Sequence, residues 1–211
     1  MKILCVGMNY AAHCENDFAD NKPLRHTLVY TEPVIFTKPD SALIREGRPF
    51  FVPDFAQRFD YEAEIVVRID RLGKNVAERF AHRYYNQLTV GIDFTARDLQ
   101  HRLAEHGLPW ELCKGFDGSA AVGKWVDKTQ FADVQDIHFR LDIDGTTVQN
   151  GHTADMLHSI DRIVSYCSRF FTLKMGDLIF TGTPAGTGPV SEGQHLEAYI
   201  EQQPVLNIRI K

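Results

Sequence analysis

The side chains of Asp60, Glu62, Glu64, Asp93 and Lys114 have the types and spacing for metal-assisted chemistry. In FDYEAEIVVRID the residues Ile65, Val66, Val67 and Ile69 favour a pleated backbone, so the segment reads as a β-strand. A period of two puts Asp60, Glu62 and Glu64 on one face and Tyr61, Ala63 and Ile65 on the other. Carboxylates crowded on one face of so apolar a strand repel one another, and burying them without partners is expensive. A divalent cation removes both penalties. Glu62 and Glu64 sit about 6–7 Å apart along the strand, and their side chains can converge on one ion. All-oxygen ligation suits magnesium, calcium or manganese better than zinc. The same E-x-E spacing also fits a solvated edge strand that uses acids against aggregation.

These residues depend on the elements around them. MKILCVG reads as a strand ended by Gly7. Asn9 is then a candidate cap of a helix start that carries His13, and the polar, turn-rich stretch beyond is a candidate lid. A surface position is the ordinary alternative for His13. EPVIFTKP is strand-like, and two short strands flank the turn at Glu46-Gly47. Val76, Phe80, Tyr84 and Leu88, at spacing four, predict a helix over VAERFAHRYYNQLTV. LTVGID predicts a buried strand leading to Asp93. TARDLQHRLAEHG predicts a helix capped by Thr95 and stopped by Gly107. Beyond KGFD, AAVGKWV, IHFRLDIDGTTVQNGHTADM, LIFTGTP and LEAYIEQQPVLNIRI read as strands, with a hairpin at Asp144-Gly145. SIDRIVSYCSRFFTL reads as a helix capped by Ser159. Many short strands and few helices, without β-α-β alternation, point to an α+β, β-rich fold with a rolled or barrel-like mixed sheet.

The chain of 211 residues is sized for one domain, residues 1–211. Its 44% hydrophobic and 24% charged residues are those of an ordinary globular protein. A net charge of −5 with scattered Lys and Arg gives no reason to expect nucleic acid, and the longest apolar runs are strand-length, so no membrane partner is expected. The N-terminus lacks the apolar length of a signal peptide. Cys5, Cys14, Cys113 and Cys167 show no paired spacing and read as reduced thiols of a cytoplasmic protein. In TGTPAGTG, glycines 182, 186 and 188 let backbone approach a ligand and offer amides to an anion. Pro189 follows where a P-loop needs Lys and Ser or Thr, so that motif is excluded, and a tight turn is the alternative.

The pieces also occur in a recognisable order. G-M-N-Y-x-x-H (Gly7 to His13), D-Y-E-x-E (Asp60 to Glu64) and G-I-D-F-T-A-R-D-L-Q (Gly91 to Gln100) are followed by K-G-F-D (Lys114 to Asp117). Q-N-G-H-T-A-D-M (Gln149 to Met156) and F-T-L-K-M-G-D-L-I-F-T-G-T-P-A-G-T-G (Phe171 to Gly188) complete the set. Together they resemble the fumarylacetoacetate hydrolase family in a short form made of the catalytic domain only. The resemblance implies a mixed β-roll, a homodimer, and one magnesium or manganese ion (calcium being acceptable in a crystal) on Glu62, Glu64 and Asp93. It implies 2-oxo acid substrates such as acylpyruvates, fumarylpyruvate or oxaloacetate. Lys114 would face the bound substrate, with Arg97 and Gln100 lining the pocket and Gln100 grouped with the catalytic residues. Thr183, Gly182 and neighbouring amides would hold the substrate carboxylate, with Tyr10, Phe116 and Asp117 also in the substrate site. His13 would be the base on the lid.

The chemistry agrees. A 2-oxo acid offers a carboxylate and a keto oxygen to a dication, which stabilises an enolate, and a neutral histidine near pH 7 can activate water. The first expectation is therefore hydrolytic C–C cleavage of an acylpyruvate-like 2-oxo acid. One departure from the resemblance matters: many hydrolytic relatives pair the lid histidine with a glutamate three residues on, where this chain has Asn16, flanked by Glu15 and Asp17. That raises the alternatives that need only enolate stabilisation, namely isomerisation, tautomerisation or oxaloacetate decarboxylation, ahead of a non-catalytic binding protein. The other histidines read as structural or surface, with His152 the one whose motif could give it a further part.

Overall fold

The protein is described by a computed structural model over residues 1–12, 31–44 and 48–211. The candidate lid with His13, Cys14, Glu15, Asn16 and Asp17, and the turn at Glu46-Gly47, lie outside the described residues. The main sheet is mixed. Its order is β2 (Val34–Lys38), β1 (Ile3–Gly7), β12 (Leu178–Phe180), β5 (Ala63–Ile69), β6 (Tyr85–Asp93), β8 (Ala120–Val122) and β3 (Leu43–Ile44), with β9 (Val126–Asp127) also on β6. β1 runs parallel to β12 and β3 to β8; the other pairings are antiparallel. An antiparallel second sheet holds β11 (Thr146–His152), β10 (His138–Ile143), β14 (His195–Ile200) and β15 (Gln203–Arg209). β13 (Gly188–Pro189), β4 (Phe59–Tyr61) and β7 (Thr95–Ala96) form the third. The α-helices that lie wholly among the described residues are α1 (Glu78–Ala81), α2 (Arg97–Glu105), α3 (Glu111–Lys114) and α4 (Ile160–Phe170). The architecture is the α+β, strand-rich class expected, with the sheet curled into a half-barrel.

Local rules account for much of this. Asp144 and Gly145 both have positive φ, 49° and 80°, as a two-residue hairpin turn between right-twisted strands requires. Ser159 caps α4 by accepting from Arg162 N, and Ile160, Ile163, Val164 and Cys167 bury one face of that helix. Gly107, at φ +65°, follows α2 and ends it.

The helix expected over Val76–Val90 is not there. Only α1 is helical, Phe80 is 39% exposed, and Tyr85–Asp93 is strand β6. The spacing of four is real, but β6 pairs with β5 on one edge and with β8 and β9 on the other. Aromatic and β-branched residues (Tyr85, Thr89, Val90, Ile92) fill both of its faces, and that central position outweighs the periodicity. The caps differ too. The residue before α2 is Ala96, not Thr95, and no side chain caps that end. Asn9 instead ties two loops together, donating to the Thr181 and His158 carbonyls and accepting from His158 N.

The acidic segment is not one continuous strand. It breaks at Glu62, so β4 belongs to the third sheet and β5 to the main one. The neighbouring segment does the same: β6 ends at Asp93 and β7 joins β4. The two strands thus change sheet side by side, and Asp93 N bonds to the Glu62 carbonyl at 2.8 Å across the corner. Gly91 sits opposite Glu64 on β6, where a Cβ would lie 2.7 Å from the Ala121 carbonyl, the Phe180 ring and Val66. Gly91→Ala is therefore expected to destabilise the protein by about 1–3 kcal/mol, read as a lower denaturant midpoint.

Candidate metal centre

The corner places Glu62, Glu64 and Asp93 so that one carboxylate oxygen from each lies within 4.8 Å of the others. All are buried, and Asp60 is 1% exposed beside them. β5 lies between β12 and β6, so the solvated edge-strand reading does not describe it. Uncompensated, this cluster would not survive burial. An alternating run of cations and anions supports it. Arg58 binds Asp60 at 2.7 Å, and Arg97 binds Asp60 at 2.9 Å and Glu62 at 2.6 Å. Lys114 binds Glu62 at 2.7 Å and Asp93 at 2.9 Å, and Lys38 binds Asp93 at 2.6 Å.

Each cation arrives by a different route. Arg97 opens α2 directly after the corner, and its remaining guanidinium nitrogen donates to Gln100 Oε1 at 2.6 Å, one helical turn on. Lys114 ends the short α3, and its ammonium also donates to Thr95 Oγ1 at 2.6 Å. Lys38 ends β2, where it donates to Ser119 and to the backbone carbonyl of Lys114. Burial alone would depress the Lys114 ammonium. Asp93 and Glu62 outweigh that and hold its pKa above the ordinary value, so it is a fixed positive charge.

Glu64 is the member whose charge is least well met. Its Oε2 accepts from Gly182 N at 2.7 Å. Burial, followed by the Asp93 and Glu62 carboxylates, nevertheless pushes its pKa well above the usual range. A divalent cation reverses that balance, and the hard oxygen donors of Glu62, Glu64 and Asp93 suit magnesium or manganese. The residues present therefore fit a resident divalent ion.

The remaining expected residues fall into two groups. Tyr10 is buried, and its hydroxyl has no hydrogen-bond partner among the described residues. Burial and then the Glu64 charge raise its pKa, so it stays a neutral donor. Thr183 is buried, donates to the Ala63 carbonyl at 2.8 Å and accepts from Gln149. Gly182 has φ +100°, and a Cβ there would sit 2.6 Å from that of Asn9, so only glycine fits. By contrast, Phe116 stacks edge-on in an aromatic cluster with Phe55 and Phe59, and Asp117 is exposed. His152 pairs with Asp136 at 2.7 Å and stacks on His138, at the second sheet. Lys38 and Gln149 were not singled out from the sequence. A lysine closing the apolar run VIFTK was the available sign of the first.

A curled mixed sheet whose corner gathers three acids around a buried lysine defines a class with carboxylate oxygens placed where a divalent ion could bind. The chain belongs to the fumarylacetoacetate hydrolase family: the family signature, fumarylacetoacetate (FAA) hydrolase C-terminal, matches residues 2–211. It is 37% identical over 209 residues to the mouse oxaloacetate tautomerase FAHD1, mitochondrial, covering 99% of this chain and 91% of that one. It is 35% identical over 196 residues to the oxaloacetate tautomerase YcgM of Escherichia coli K12, covering 92% of this chain and 86% of that one. The crystal structure of fumarylpyruvate hydrolase from Pseudomonas aeruginosa, in complex with Mn2+ and pyruvate, superposes with a TM-score of 0.88 at 33% identity, covering 100% of this chain and 89% of that one. Family members named in this way are enzymes. No helix among the described residues is long and apolar enough to cross a membrane.

The raised pKa of Glu64 gives a signed expectation. Between the ordinary value of 4.5 and the raised folded value, the metal-free folded state holds a proton that the unfolded state has released. Stability therefore falls as pH rises through that window. Glu64→Gln removes this fall, so with chelator at neutral pH the variant should melt higher than the parent, while losing the rise in Tm that Mn2+ gives the parent. A variant that melts lower at neutral pH without metal would contradict the assignment of Glu64 as the strained ligand.

Proposed function

We propose that the protein interconverts the enol and keto forms of a short 2-oxo dicarboxylic acid of the oxaloacetate kind, with magnesium or manganese held by Glu62, Glu64 and Asp93. The observation that carries the reading is the Lys114 ammonium, kept charged between Glu62, Asp93 and Thr95 in the middle of the acids. The ion, when bound, supplies Lewis-acid polarisation of the substrate's keto group. Lys114 places a second, permanent positive charge where enolate charge develops, and it does so without any rearrangement during reaction. The neutral Tyr10 hydroxyl offers a donor to a substrate oxygen. Gln100, its oxygen taken by Arg97, has its amide NH2 to offer the distal group. Thr183 and the Gly182 backbone border the carboxylate, and His13 gives and takes the proton at the carbon next to the keto group.

Ketonisation releases the enol O–H proton to solvent, leaving the enolate, and adds one proton at the adjacent carbon, so it needs a stabilised enolate and no attack by water. Asn16, in place of the glutamate that pairs with the lid histidine in hydrolytic relatives, is in keeping with that. So are the names of the mouse and E. coli relatives, which match over most of this chain. Hydrolysis of an acylpyruvate is the second reading, supported by the name of the P. aeruginosa neighbour. A cytoplasmic setting and a homodimer belong to the same proposal. The first is supported by Cys5, Cys113 and Cys167, all free and buried. The second is supported by the exposed Phe55 and Leu112 on one surface cavity.

The test follows the absorbance of enol-oxaloacetate added to purified protein with Mg2+ or Mn2+. Accelerated ketonisation that chelator removes is expected. Lys114→Met should lower kcat by about 10²–10³-fold. Pyruvate release from acetylpyruvate or fumarylpyruvate without any tautomerase activity would favour hydrolysis instead.

A further inference from the structure

The motif from Gln149 to Met156 has been given no role beyond the bond from Gln149 to Thr183, yet its first residue sits at a junction. Gln149 is 2% exposed on β11, in the second sheet, and its amide reaches across to the main one. Oε1 accepts from the backbone N–H of Ala63 at 2.9 Å, the residue between Glu62 and Glu64. Nε2 donates to Thr183 Oγ1 at 2.8 Å and to the Pro184 carbonyl at 3.0 Å. The Thr183 hydroxyl in turn donates to the Ala63 carbonyl at 2.8 Å. Ala63, Thr183 and Gln149 thus close a ring of hydrogen bonds in which both backbone groups of Ala63 are used.

The surrounding backbone supports the same junction. At Gly186 (φ +101°) a Cβ would lie 2.5 Å from the Val148 carbonyl, so the loop rests directly on β11. At Gly151 a Cβ would meet the Phe139 ring at 2.4 Å, which holds β11 close to its neighbour. An apolar side chain at 149 leaves the Ala63 N–H and the Pro184 carbonyl buried without their partner, and the loop must shift to recover them.

We propose that Gln149 is a positioning residue. It sets the Gly182–Pro184 loop against the metal-holding strand and so governs how tightly the site grips the carboxylate of its 2-oxo acid. The inference rests on the functional reading above, in which that loop borders the carboxylate. A residue that acts through Thr183 should change anion binding more than metal binding, because Ala63, on the other side of the ring, is held in β5 by its pairing with Ile92 of β6.

Calorimetric titration with Mn2+, then with oxalate, tests this well below the unfolding temperature. Gln149→Met, similar in volume but without the amide, should keep Mn2+ affinity within about twofold and lose oxalate affinity by about tenfold. Thr183→Val should weaken oxalate similarly, and the double variant should be no weaker than the weaker single, because both break one ring. Oxalate affinity equal to the parent in Gln149→Met, or losses that add in the double variant, overturns the inference. If Gln149→Met does not fold, Gln149→Asn, whose shorter arm reaches one side of the ring but not both, takes its place with the same expected and overturning results. Failure of the parent itself to bind oxalate with Mn2+ overturns the reading of the site and this inference with it, whereas failure confined to the variants' pattern overturns only the inference.

Discussion

Four carboxylates buried at one strand corner are the constraint to which the rest of this structure answers. Taking a carboxylate out of water without a partner costs more than a small domain has in total stability, so each of these acids must be met by a cation or by amides. Asp60, Glu62 and Asp93 are met by arginine and lysine side chains from β2, α2, α3 and the segment before β4. Glu64 is met chiefly by one backbone amide, which leaves it the acid most in need of a further positive charge. The main sheet's order, the short α3 and the glycine loop all serve to bring those compensating groups to one place.

The corner also explains why elements far apart in sequence are jointly required. Removing one member of a buried ion pair typically costs about 3–5 kcal/mol, because the other charge is left bare. Lys38 illustrates this: it belongs to an outer strand of the main sheet, yet it bonds both to Asp93 and to the carbonyl of Lys114. The candidate metal site and fold stability therefore draw on the same side chains.

Much of this was legible in the sequence, and the parts that were not have physical reasons. The E-x-E spacing that lets Glu62 and Glu64 converge is met, since their carboxylates and that of Asp93 lie within 4.8 Å of one another. The Asp144-Gly145 turn and the Ser159 cap followed from local chemistry alone. The helix expected around Phe80 and Leu88 failed because a central strand can be apolar on both faces, which blurs the two periods. The break at Glu62 was not visible, since a strand that passes between two sheets keeps its alternation. The parts that Lys38 and Gln149 play are not legible in the sequence because the partners that make them matter lie far off in the chain, the hydrogen-bonded ones at least 56 residues from Lys38 and 34 from Gln149.

The alternating row from Arg58 to Lys38 has a consequence for how this protein can change over time. Inside the row, swapping any one charge for a neutral residue strands its neighbour, so drift must proceed by coupled replacements or not at all. Arg58, half in solvent at the outer end, is the position where a single loss is softened by water. Variation should therefore erode the row from that end inward, with Lys38, Asp93 and Lys114 changing last and together.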